Sequence, residues 1–146
     1  MFTKARVGKK GSLLLYMLLY FSQSATSQHP KASISVYSVD LGIETVLSIP
    51  CNEFKTQFLG HIDSTVCYSP DTLQAITVFL KHIHRSRTRQ QVDTRVRFIF
   101  IDLDGKETDI CMDRFDLCVN GRVIRNYPKF YIFMRSLVPK THLRFR

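Results

Sequence analysis

Four cysteines, a short run of carboxylates and a few histidines are the residues of this 146-residue chain whose types and spacing could do chemistry. Cys51, Cys67, Cys111 and Cys118 form an even set, which in an oxidising compartment points to disulfides with three possible connectivities. A Cys51–Cys67 bond would close a loop of ordinary length, worth about 3 kcal/mol. Cys111 and Cys118 would face each other if Arg114-Phe115 were a two-residue turn. That register makes them a hydrogen-bonded pair, a position that suits a cross-strand disulfide poorly, and Arg-Phe is a poor dipeptide for a primed turn. Buried free thiols are the alternative, and the pairing stays open. None of the spacings is C-x-x-C, so neither thioredoxin-like redox chemistry nor a zinc knuckle is indicated. His82 and His84 would point about 200° apart on a helix, so they lack the spacing of a helical metal pair. His61 is isolated in the chain. No catalytic set, metal site or cofactor follows from these residues.

The carboxylates lie in Phe98-Ile99-Phe100-Ile101-Asp102-Leu103-Asp104-Gly105, an apolar run ending in D-x-D-G. This stretch resembles the first motif of haloacid-dehalogenase-type phosphotransferases. The resemblance implies a small hydrolase or phosphotransfer enzyme, with Asp102 as nucleophile, Asp104 as general acid and Mg²⁺ held between them. It covers about eight residues. Lys106 stands where the family has a threonine, and only 41 residues follow Gly105, where the family has a Rossmann-like domain supplying a lysine and further acids. Read locally, the same residues are a hairpin turn carrying two solvated aspartates. With Glu107 they also suggest Ca²⁺, but they lack the ligand spacing of an EF-hand loop and are flanked by strands rather than helices.

A second chemical feature is cationic. Lys81, Arg85, Arg87, Arg89, Arg95 and Arg97 face a single acid, Asp93, within Lys81–Arg97. Lys81, Arg85, Arg87 and Arg89 form a candidate anion-binding surface, since clustered cations attract phosphates. No aromatic interleaves them before Phe98, so stacking on single-stranded nucleic acid is not signalled. Anionic lipid headgroups, lipopolysaccharide or the acidic face of an envelope protein fit better. Arg95 and Arg97 alternate on a strand and could instead pair with carboxylates across a sheet. The plain alternative for the whole stretch is a solvated helix end and loop.

Residues 1–27 read as a secretory signal peptide. Lys4, Arg6, Lys9 and Lys10 precede the apolar run Leu13–Phe21, and small polar residues follow, with no acid before Asp40. Cleavage falls before Gln28, with a start at Ala25 as the alternative. The apolar run is too short to span a bilayer as a helix, which needs about 20 residues. No cysteine sits just after it, so a lipid anchor is not expected. Of the net charge of +9, four units belong to this leader, leaving a moderately basic 28–146. The expectation is a single exported domain, periplasmic or extracellular, with nucleic acid disfavoured as a partner. There is no Asn-x-Ser/Thr sequon, internal repeat or low-complexity tract.

The elements that would position these residues follow from periodicity and punctuation. Ile34, Val36 and Val39 start a strand, Val46–Ile49 suggests another, and Pro50, Cys51, Phe54 and Phe58 suggest a short helix stopped by Gly60. Ile62–Tyr68 reads as a strand. A helix capped by Ser69 and opened by Pro70 presents Leu73, Ile76, Phe79, Leu80 and Ile83 on one face, with Arg85 and Arg87 near its end. Val96–Asp102 reads as a central strand. Asp104-Gly105 and Asn120-Gly121 are two-residue hairpin signals. Pro128 opens a last helix with Phe130, Phe133, Met134, Leu137 and Val138 on one face, and Pro139 ends it. The expected fold is α+β: an antiparallel sheet of about four to six strands, with two or three helices packed on one face. The expected function is a non-enzymatic binding or interaction module.

Overall fold

The computed structural model describes residues 31–83, the backbone of 85–89, and residues 92–124 and 127–143. The proposed leader, both cleavage positions and His84 lie outside the described residues. The expected α+β architecture is present. Strands β1 (Ser33–Ser38), β2 (Asp63–Cys67), β3 (Arg85–Arg89), β4 (Val96–Ile101), β5 (Glu107–Met112), β6 (Leu117–Val119) and β7 (Arg122–Ile124) form one antiparallel sheet. Their order is β2-β1-β4-β5-β6-β7-β3, so the apolar Val96–Ile101 strand is interior, as its composition requires.

Strand alternation decides which side chains meet the helices. Val36, Phe98, Ile110 and Val119 stand in register across four neighbouring strands and share one buried face. Helices α2 (Pro70–His82) and α3 (Pro128–Ser136) cover it, with Leu73 and Ile76 from α2 and Phe130 and Met134 from α3 in the same core. The two helices are joined by Phe79, whose ring stacks on Phe130 with centroids 3.9 Å apart. The short helix α1 (Phe54–Gln57) lies on the opposite face. There Phe54 and Phe58 form a second core with Val39 and Ile49, packed against Tyr37, which alternates with Val36.

Four local expectations are corrected. Val46–Ile49 is not a strand: the amide of Ile49 donates to the Asp93 carboxylate and its carbonyl accepts from Thr94, so this segment is tied crosswise rather than laddered. Helix α2 ends at His82, and Arg85–Arg89 forms an edge strand paired irregularly with β7, giving the sheet seven strands. Ser69 makes no side-chain cap, and Pro70 alone marks the helix start. The Asp104-Gly105 connection holds three residues rather than two. Asp102 and Lys106 close it, and Gly105 takes the left-handed conformation at φ 77°. At Asn120-Gly121 both residues have positive φ, as a two-residue primed turn demands.

Candidate functional site: an apolar groove with a cationic rim

The D-x-D-G motif lies on the β4–β5 turn. Oδ1 of Asp102 accepts hydrogen bonds from the amides of Asp104 and Lys106, each at 2.9 Å, so it builds the turn. Asp104 is exposed on that turn. Asp102 lines a groove, described below, but Asp104 does not join it there.

The cysteines separate into two groups. Cys51, just before α1, is bonded to Cys111 on β5, with Cα atoms 5.9 Å apart. Cys67 and Cys118 are free thiols. The Cys111–Cys118 register is realised, because Arg114-Phe115 is a two-residue turn after all. Neither residue has a positive φ, so the turn is not a primed one. Asp113 supports it instead, its Oδ1 accepting from the amides of Phe115 and Asp116 at 2.6 Å each. Cys118 sits in a small apolar cluster with Cys111 and Val123, where burial pushes its thiol above the ordinary range. Such a thiol is a poor nucleophile. Asp109 lies near the two bonded sulfurs, but it holds the Arg97 guanidinium through both carboxylate oxygens, at 2.9 and 3.0 Å. The oxidised pair and the engaged carboxylate leave no ligand set open for a metal at this place.

The cations are divided in the same way. Arg97 makes the cross-strand pair with Asp109 that its alternation suggests, whereas Arg95 pairs with Asp93, two residues earlier. Arg95 is 4% exposed and lies beside a cleft of about 390 Å³ lined by Ile43, Thr45, Asp113 and Arg114 among others. Its guanidinium is fully engaged with Asp93, Thr45 and two carbonyls, so it offers no free donor to a ligand in that cleft. Lys81 is on α2, while Arg85, Arg87 and Arg89 are on the edge strand β3. His82 is exposed and bonded to the Val78 carbonyl one turn back, and His61 is exposed.

A groove of about 570 Å³ lies between the outer side of α2 and the β4–β5 turn. Pro70, Gln74, Thr77, Val78 and Lys81 of α2 form one wall, since positions spaced by three and four share a helix face. Phe100, Asp102 and Leu103 form the other, with Lys31, Ala32 and Tyr68 at one end. Tyr68, Val78 and Leu103 are 56%, 51% and 76% exposed, although each is large and apolar. A second hollow of about 600 Å³ runs between Phe115, Ile124 and Tyr131 and also has exposed apolar residues, Phe115 and Ile132, but it differs in having no lysine or arginine in its lining. Its Tyr131 hydroxyl is spent on the Asp113 and Arg114 carbonyls. Sequence reasoning found Lys81 and missed Lys31, Tyr68, Val78 and Leu103. The available signal was Val78, an apolar residue on the polar side of α2.

No protein-family model, curated protein or solved structure matches this chain. Among the described residues, no helix is long and apolar enough to cross a membrane.

Proposed function

We propose that this chain is a small, non-enzymatic binding module of the cell envelope or exterior, and that the groove beside α2 is its ligand site. The observation that carries this is the exposure of Tyr68, Val78 and Leu103 around one concave surface. Large apolar side chains grouped at a groove mark a place where something apolar is bound. The polar groups elsewhere support the same reading, because Arg95, Arg97, Asp109 and Asp113 are each committed to internal bonds. Export fits the disulfide, which persists in oxidising compartments.

Nile red, a neutral apolar dye, tests the site. It is expected to fluoresce on binding the native protein, and Leu103→Asp or Val78→Asp should remove most of that signal. Val46→Asp, at an exposed apolar residue outside the groove, should leave it unchanged. Equal loss in all three variants, or in none, would sink the groove as the ligand site. Export is tested by the intact mass of protein recovered outside the cytoplasm. A start at Gln28 or Ala25 is expected, and an intact Met1 start would overturn it.

A further inference from the structure

We infer that the ligand of the groove is a free single-chain amphiphile with an anionic carboxylate head. This rests on the reading of the groove as the binding site and adds the chemistry of what it takes. The tail would lie along Leu73, Val78 and Leu103, and the head at the Lys31 end beside Tyr68, with Lys81 about three turns along α2 adding to the positive rim. Both lysines are exposed at the groove, and neither is in an ion pair among the described residues. Lys31 stands 6.0 Å from the centre of the Tyr68 ring, so one positive charge borders the apolar end directly. The opposing charge in the wall is Asp102, whose Oδ1 already receives two amide N–H groups. The rim thus keeps a net positive charge around an apolar floor. A groove of about 570 Å³ is within the range of sites for small organic ligands, roughly 300–1,000 Å³. A polyanion would need a row of cations on an open face, whereas these two flank an apolar trough. A cationic or strictly polar ligand would leave the floor wet and the lysines opposed or unused.

Head and tail make separable contributions. Each methylene transferred into the groove should tighten binding about threefold to fourfold until the floor is filled. The two exposed lysines together should favour an anionic head about fivefold to tenfold at low salt, and the advantage should shrink as salt rises. Asp102→Asn keeps an acceptor for the turn and removes the opposing charge, so it should tighten binding of the anion.

The experiment is calorimetric titration of the full chain with laurate, below its micelle concentration, against neutral monolaurin and cationic dodecyltrimethylammonium. Laurate is expected to bind tightest and the cation weakest. The double variant Lys31→Gln/Lys81→Gln should bring laurate down to the monolaurin level, a loss larger than any change in monolaurin. Equal affinity for laurate and monolaurin, insensitive to the lysines, would overturn the anionic head while leaving the groove as the site. No binding of any amphiphile, with Nile red also unaffected by Leu103→Asp, would remove both readings. Co-sedimentation with phosphatidylglycerol vesicles without binding of monomeric laurate would overturn the free ligand in favour of a membrane surface.

Discussion

Every N–H of the Arg95 guanidinium already has an acceptor. Nε donates to the Ile43 carbonyl, Nη1 to Asp93 and the Thr94 carbonyl, and Nη2 to Asp93 and Thr45, at 2.7–3.1 Å. A planar five-donor fork can serve the carboxylate and the loop at once, which a lysine cannot. Arg95 therefore pins the 43–45 loop to the sheet. Removing one partner of a buried pair costs about 3–5 kcal/mol, but Asp93 is 41% exposed and can rehydrate. Arg95→Met is accordingly expected to lose about 2–3 kcal/mol in urea unfolding, and Arg95→Lys most of the same amount. Nile red binding at the groove, which neither Arg95 nor the 43–45 loop lines, should survive in the fraction that folds. A variant as stable as the native protein would contradict the pinning role. At this scale the sequence was partly legible. Pairing across the sheet could be expected for Arg97, because strand alternation puts it on the face of Asp109. The Ile43 and Thr45 partners of Arg95 could not, because they depend on a loop crossing from residue 43 to residue 95. Nor could Cys51–Cys111, whose ends are 60 residues apart on elements whose relative placement the tertiary fold decides.

At the scale of elements, punctuation was more legible than extent. Asn120-Gly121 supplied two left-handed residues and gave the expected turn. The Arg114-Phe115 turn ran against that rule because a side chain, not a glycine, makes it: Asp113 holds two amides and Tyr131 of α3 holds the carbonyls of Asp113 and Arg114. Strand β3 was hidden because Arg85 and Arg87 also suit the end of a helix, whereas an edge strand tolerates charge that discourages further pairing. The groove was illegible for another reason, since its walls come from three separated segments. Asp113 carries the prediction that belongs here. Burial raises its carboxyl above the ordinary 3.8, with the nearby Asp116 and Asp93 carboxylates acting in the same direction against the two amide bonds. The native state thus holds its proton more tightly than the unfolded chain does. Its contribution to stability is fully present below the unfolded value and is lost as pH rises through the raised folded value. Asp113→Asn keeps the acceptor without the charge. It should flatten that segment of the stability–pH curve and leave the protein at least as stable at neutral pH. Asp113→Ala should cost about 1–2 kcal/mol by releasing both turn amides. Denaturant midpoints between pH 3 and 7 check both, and a steeper pH dependence in the Asn variant would refute the assignment.

Across the whole molecule, the two faces of the sheet are held by different means. The helix face is closed by a continuous apolar core in which Phe98, Ile110 and Phe130 are fully buried. The opposite face has a smaller core of Val39, Ile49, Phe54 and Phe58, and the segment that bears it is fastened to the sheet by Cys51–Cys111 and by the ties from Asp93 and Thr94. A bond closing a loop of this length removes chain entropy from the unfolded state worth about 4 kcal/mol. That is a large share of the roughly 5–15 kcal/mol that holds a typical domain. Cys51→Ala, or reduction of the native chain, should therefore lower the unfolding free energy by up to that amount. The loss should be borne first by the α1 segment, seen as faster amide exchange at Phe54 and Phe58 than at Phe98. Cys67→Ser lies on a free thiol and should leave the bond intact, so alkylation and intact mass should still report one disulfide. The groove is on the α2 side and draws none of its lining from the fastened segment. Ligand binding should thus persist after reduction in the protein that stays folded, and parallel loss of binding and of α1 protection would show that the two faces are not independent.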